Sequence, residues 1–114
     1  MTTSKSFARG DIVTVEFPFA EAPGSKDRPA LVMTAPNAHG DYTVVMISSE
    51  QQDDGVSIAK ADFGSGSLSA DSFVRVRKLY TISGNEIVAQ RGTLNPAAMG
   101  RVLAKLCLTL GCRS

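Results

Sequence analysis

The 114 residues predict a small, strongly bent antiparallel β-barrel with one α-helix at its C-terminal end. Three observations lead there. Short segments with the two-residue period of strands fill the first four-fifths of the chain, separated by turn-forming residues. The period switches to that of a helix only once, after residue 95. Helices and strands therefore do not alternate, which argues against a doubly wound parallel sheet. The length is that of one domain, residues 1–114, with residues 1–9 expected to be loose.

The first strand is expected over Asp11–Phe19 (DIVTVEFPF), where Ile12, Thr14 and Glu16 alternate with Val13, Val15 and Phe17. Pro18 has no N–H to give, so it ends the ladder or sits at an edge. Ala20–Arg28 (AEAPGSKDR) combines small, turn-forming and charged residues and reads as a mobile loop. Pro29–Thr34 is an apolar run short enough for a buried strand, and Pro36–Asp41 a turn. Tyr42–Ser48 is a third strand rich in β-branched residues.

Glu50–Gly55 reads as an acidic, polar loop. Val56–Lys60 is expected to be a short strand, followed by a Gly/Ser-rich connection through Ser67. Phe73–Ile82 and Glu86–Leu94 form a hairpin about Ser83-Gly84-Asn85. Five or six strands result. Met99, Val102, Leu103, Leu106 and Leu110 then make one apolar helical stripe. Asn95 suits the N-cap, Pro96 the first helical turn, and Gly111 the stop.

Composition narrows the function classes without choosing among them. Twelve Lys+Arg against 11 Asp+Glu leave a net charge of +1, so a nucleic-acid site must rest on local charge. Cys107 and Cys112, five apart at the helix end, read as reduced structural thiols of a cytosolic protein rather than a disulfide scaffold. The one histidine, His39, and two cysteines are too few for a zinc site. Residues 1–10 lack the apolar core of a signal peptide, and no apolar run approaches the ~18 residues of a membrane span.

Gly10-Asp11-Ile12-Val13, Phe17-Pro18-Phe19 and Arg28-Pro29-Ala30-Leu31-Val32 resemble the N-terminal half of the PemK/MazF toxin family. The pattern continues with Ile47-Ser48-Ser49 at the end of the third strand, where the family carries a Thr/Ser pair. Gly92-Thr93-Leu94, leading into the helix, completes it. The resemblance covers nearly the whole chain. It implies an SH3-like barrel, usually a homodimer, that cuts single-stranded RNA without a metal or other cofactor. It also implies a cognate antitoxin whose disordered tail lies in the RNA groove.

Metal-free RNA cleavage uses the substrate's own 2′-OH as nucleophile. The enzyme must help remove its proton, stabilise a doubly charged phosphorane and protonate the leaving 5′-oxygen. Arg28 matches the family's catalytic arginine, and a guanidinium grips phosphate oxygens in a fork at any working pH. Without the resemblance it reads as a solvated loop charge paired with Asp27. Ser48 matches the catalytic threonine position, although a strand-end hydroxyl also commonly serves its own backbone. Ser49 exchanges roles with it if the alignment slips by one. Glu21 is the candidate base if its loop folds over the site.

Arg75 and Arg77 are two apart on a strand and project from one face, opposite Val74 and Val76. With Lys78, Lys26 and Lys60 they line a phosphate-binding groove or, equally, form an ordinary solvated face. Phe19, at the loop entrance, is the aromatic expected beside a base, with Tyr42, Phe63, Phe73 and Tyr80 as other candidates. Two further readings remain. CcdB-type toxins use the same barrel to trap DNA gyrase through the terminal helix, which would leave Arg28 idle. A family member without catalysis would persist as an RNA- or protein-binding module.

Overall fold

The computed structural model describes residues 6–16, 27–68 and 70–112. Among these, seven strands form a single antiparallel sheet: β1 (Asp11–Glu16), β2 (Asp27–Val32), β3 (Asp41–Ser48), β4 (Gly55–Ile58), β5 (Phe63–Gly66), β6 (Ser72–Ser83) and β7 (Ile87–Leu94). One helix, α1 (Pro96–Leu110), follows. The strand order is β4-β6-β3-β2-β1-β7-β5.

That order dictates the shape. β4 and β5 are the two outer strands of the sheet, yet only Ala59–Asp62 joins them. Four residues span at most ~14 Å, so the sheet must curl until its edges approach each other. The joint is made by a short 3₁₀ turn, Lys60–Asp62, whose Asp62 carboxylate accepts the Ala59 N–H at 2.8 Å. The Asn95 N–H donates to the Asp62 carbonyl at 2.8 Å, tying the end of β7 to the same joint.

Alternation along the strands builds two apolar clusters on opposite faces of the sheet. Ile12, Leu31, Val45, Ile47, Val74 and Val76 point to one side and meet Ala98, Met99 and Val102 of α1. Val13, Val15, Ala30, Val32, Val44 and Ile82 point to the other, joined by Phe7 and Tyr42. The chain ahead of β1 is anchored there. Phe7 is buried edge-on to Tyr42, and its N–H donates to the Tyr42 hydroxyl at 3.0 Å.

The helix starts and stops where the sequence predicts. Asn95 accepts the Ala98 N–H at 2.8 Å, Pro96 opens the first turn, and Gly111 ends the helix in the left-handed region at φ 76°. The apolar stripe extends past the barrel, however. Met99 and Val102 are buried and Leu103 and Leu106 half-buried, whereas Leu110 is 64% exposed. Cys107 and Cys112 are free and exposed.

Two expectations fail: the β6–β7 hairpin, since β6 lies between β4 and β3 while β7 lies between β1 and β5, and β5, expected to be a Gly/Ser-rich connection. The residues of β5 pair with β7, Phe63 opposite Leu94 and Gly66 opposite Gly92. Gly66 holds φ 68°, and its backbone lies so close to Arg91 and Gly92 that no side chain fits at either glycine. The first strand is described to Glu16; residues 17–26 lie outside the described residues.

Candidate functional site

β2 and β3 run antiparallel with Ala30 opposite Met46, Leu31 opposite Val45 and Val32 opposite Val44. The pairing ends at Ala30 and Met46; the same register continued by two residues sets Arg28 across from Ser48. Arg28 also faces Val15 of β1, Ser48 faces Phe73 of β6, and Phe73 faces Ser57 of β4. Opposed residues share a face and lie about 5 Å apart at Cβ. One row across five strands therefore carries Arg28, Ser48 and Phe73 together. The next row on that face holds Val13, Ala30, Met46 and Arg75. An apolar floor thus ends in a guanidinium, a hydroxyl, an aromatic ring and a second guanidinium.

Arg28 is exposed and pairs with no carboxylate among the described residues, Asp27 included. Ser48 is half-buried, and its Oγ accepts the Glu50 N–H at 3.0 Å. That bond orients the hydroxyl at the strand end and leaves its proton to be donated. Ser49 follows in an exposed bend and makes no hydrogen bond to a described residue through its side chain.

β6 carries an irregularity beside this face. Leu79 faces Val45, but Arg75 already faces Met46, so Val76, Arg77 and Lys78 are extra residues on β6. Asp54, from the segment before β4, serves this bulge. Its Oδ1 accepts Arg75 Nε at 3.1 Å, its Oδ2 the Arg77 N–H at 3.2 Å, and its carbonyl the Val76 N–H at 3.2 Å. Burial pushes the Asp54 carboxyl up, but the Arg75 bond, the Arg77 N–H and the Arg75 charge together hold it below the usual 3.8. Arg75 and Arg77 do not act as an equivalent pair. Arg75 is half-buried and held by a carboxylate, while Arg77 and Lys78 are exposed on the bulge.

Such a face suits a phosphodiester strand. Guanidinium forks take phosphate oxygens, a hydroxyl donates to a developing anion, and a half-buried ring offers a stacking surface. The family model for the PemK-like, MazF-like toxin of type II toxin–antitoxin systems matches residues 8–110. The chain belongs to this family. No curated protein sequence matches significantly.

Solved MazF structures share the fold. The chain superposes on an endoribonuclease from a mycobacterial species, solved with its cognate antitoxin, at TM-score 0.74 with 18% identity over 94% of this chain and 97% of that one. It matches the Mycobacterium tuberculosis toxin MazF-mt6 at TM-score 0.71 with 18% identity, covering 91% and 99%. A MazE–MazF crystal structure from Deinococcus radiodurans gives TM-score 0.72 with 19% identity, covering 93% and 96%.

Within this member of the PemK/MazF family, Arg28, Ser48 and Arg75 come together on one face, with Arg77 and Lys78 on the adjoining bulge. Phe19, Glu21 and Lys26 lie outside the described residues. His39 lies in the turn before β3, beyond the start of that strand, while Ser48 is at its far end, ~24 Å from Asp41 at the rise of an extended chain. His39 lines a separate depression of about 350 Å³ with Phe7, Pro36, Tyr42 and Asn85. No three His, Cys, Asp or Glu side chains gather as a metal site among the described residues. No described helix is long and apolar enough to cross a membrane.

Sequence reasoning missed Asp54, which lies in a run that looks uniformly solvated: Gln51, Gln52 and Asp53 are exposed and Asp54 is 6% exposed. Nothing in that run separates it from Asp53. Phe73 was one aromatic among several, and the register with Ser48 singles it out.

Proposed function

We propose that this chain is the toxin of a type II toxin–antitoxin pair and acts as a metal-independent endoribonuclease on single-stranded RNA. The observation that carries the reading is the β2–β3 register, paired as far as Ala30 and Met46, which continued by two residues brings Arg28 and Ser48 to the end of an otherwise apolar face. Family membership and the endoribonuclease among the structurally similar chains support it.

In this mechanism the 2′-OH of the nucleotide before the cut attacks the adjacent phosphorus. A phosphorane forms, the bond to the 5′-oxygen breaks, and a 2′,3′-cyclic phosphate and a 5′-OH remain. The nucleophile belongs to the substrate, so no metal-bound water is needed to supply one. Arg28 binds the non-bridging oxygens and stabilises their charge as the phosphorane forms. The Ser48 hydroxyl donates to one of them or orients the 2′-OH, with Ser49 the alternative donor. Glu21, in the segment between β1 and β2, is assigned as the base. Phe19, Lys26, Arg75, Arg77 and Lys78 bind the strand on either side. The working form is a homodimer in the cytosol, silenced by a cognate antitoxin that occupies the RNA groove, as the antitoxin complexes of similar chains suggest.

The test is incubation of the purified chain with mixed-sequence single-stranded RNA in EDTA, beside Arg28→Ala and Ser48→Ala. Wild type should cleave, Arg28→Ala should be silent and Ser48→Ala strongly slowed. Intact RNA with folded wild-type protein, or full activity in Arg28→Ala, would overturn the reading.

A further inference from the structure

A bulge orphans backbone N–H groups that a regular ladder would pair. At the β6 bulge Asp54 supplies the acceptors, through its carbonyl for Val76 and its Oδ2 for Arg77. A neutral side chain would meet that need. The carboxylate does one thing more: its Oδ1 takes Arg75 at Nε and no other nitrogen. Of the five guanidinium N–H donors, the four on the terminal nitrogens are left for a ligand. Burial of Asp54 makes this grip directional, since a desolvated charge-assisted bond holds its geometry better than a solvated one.

The place of Arg75 gives the grip its use. Ser48 directly faces Phe73, and Arg75 is two residues further along β6 on the same face. That diagonal separation is about 7–8 Å, close to the spacing of neighbouring phosphates along an extended strand. Arg28 lies on the far side of Ser48. A strand whose scissile phosphate rests between Arg28 and Ser48 then brings its next phosphate to Arg75.

We propose that Asp54 is a positioning residue that holds Arg75 as a pre-oriented clamp for the phosphate next to the scissile one on single-stranded RNA. The inference rests on the ribonuclease reading above and deepens it. Its sign is unusual. Charge counting alone says that removing a carboxylate beside an RNA groove tightens binding. Positioning says the opposite, because the freed Arg75 side chain must be ordered anew by each ligand.

The experiment measures binding by fluorescence anisotropy of a labelled, mixed-sequence 2′-O-methyl single-stranded oligonucleotide, which offers no 2′-OH for attack. The full chain is compared with Asp54→Asn, Arg75→Ala, the double variant and Arg75→Lys. Asp54→Asn keeps an oxygen for the bulge and removes the charge. It should weaken binding about tenfold, Arg75→Ala as much or more, and the double variant no further than Arg75→Ala. Arg75→Lys keeps the charge without the Nε bond and should bind like Arg75→Ala. It also tests the inference independently should Asp54→Asn fail to fold. Unchanged or tighter binding by folded Asp54→Asn, an equal loss in the Arg75→Ala background, or full binding by Arg75→Lys would overturn the inference and leave the ribonuclease reading standing. A wild type that does not bind the oligonucleotide would sink both.

Discussion

Arg28 and Asp54 show how differently one residue's role can be legible. Arg28 stands in a recognisable run, Arg28-Pro29-Ala30, at the start of a buried strand, so its position along the chain already says that a rigid element aims it. What the sequence does not carry is its neighbour, because Ser48 lies 20 residues away and only the β2–β3 register joins them. The match to a fork-shaped donor leads to a specific expectation. Arg28→Lys keeps the charge but loses the fork, and kcat on RNA should still fall on the order of 10²-fold while the melting temperature stays near that of wild type. Asp54 was illegible because its burial follows from a bulge on a strand more than 20 residues later. Its consequence appears in acid. The folded carboxyl titrates below 3.8, so its stabilisation is complete above the unfolded value and is lost as pH falls through the lower, folded value. Urea midpoints should therefore separate wild type from Asp54→Asn at about pH 6 and draw together progressively as pH falls below the ordinary carboxylate range.

At the scale of elements, the helix and the turn after β6 were readable because their signals are local, but the hairpin expected there does not form: β6 pairs with β3 and β4, and β7 with β1 and β5. Asn95, Pro96 and Gly111 each act through bonds within a few residues, and Ser83 caps the 3₁₀ turn Gly84–Glu86 between β6 and β7 by accepting the Asn85 N–H at 3.2 Å. Asn95 also donates from Nδ2 to the Ala61 carbonyl at 3.2 Å, so Asn95→Ala should cost about 1–2 kcal/mol by chemical denaturation. β5 was not readable, since Phe63-Gly64-Ser65-Gly66 has the composition of a loop and becomes a strand through its partner. The glycines that made it look like a loop are what lets β5 approach β7. Gly66→Ala adds a side chain at positive φ against the Arg91 carbonyl and should cost on the order of 3 kcal/mol, read as a lower denaturant midpoint with RNA chemistry otherwise intact. The apolar helical stripe shows the limit of periodicity, which detects Leu110 but not that the barrel ends before it.

For the whole molecule, the family motifs divide into those that build the barrel and those that work on it. Asp11 accepts the Ala8 N–H at 2.9 Å and the Thr93 hydroxyl at 3.0 Å, while the Gly10 carbonyl accepts the Leu94 N–H at 2.9 Å. The Gly-Asp and Gly-Thr-Leu motifs, 82 residues apart, thus meet and close the β1–β7 seam. They identify the fold, whereas Arg28 and Ser48 carry the proposed chemistry. Along β3 the Arg28 row lies at the Ser48 end and His39 just ahead of the other end, while across the curled sheet the His39 depression reaches Ile87 of β7, the partner of Val15. The central claim is transesterification by the substrate's own 2′-OH. Its most direct measurement is mass spectrometry of products from a single-stranded RNA cleaved in EDTA, beside the same RNA with a 2′-deoxy sugar at the nucleotide before the cut. The expected result is a 2′,3′-cyclic or 3′-phosphate and a 5′-OH from the all-ribose strand, with the deoxy-substituted site uncut. Ends carrying a 5′-phosphate and a 3′-OH, or cleavage at the deoxy site, would contradict it.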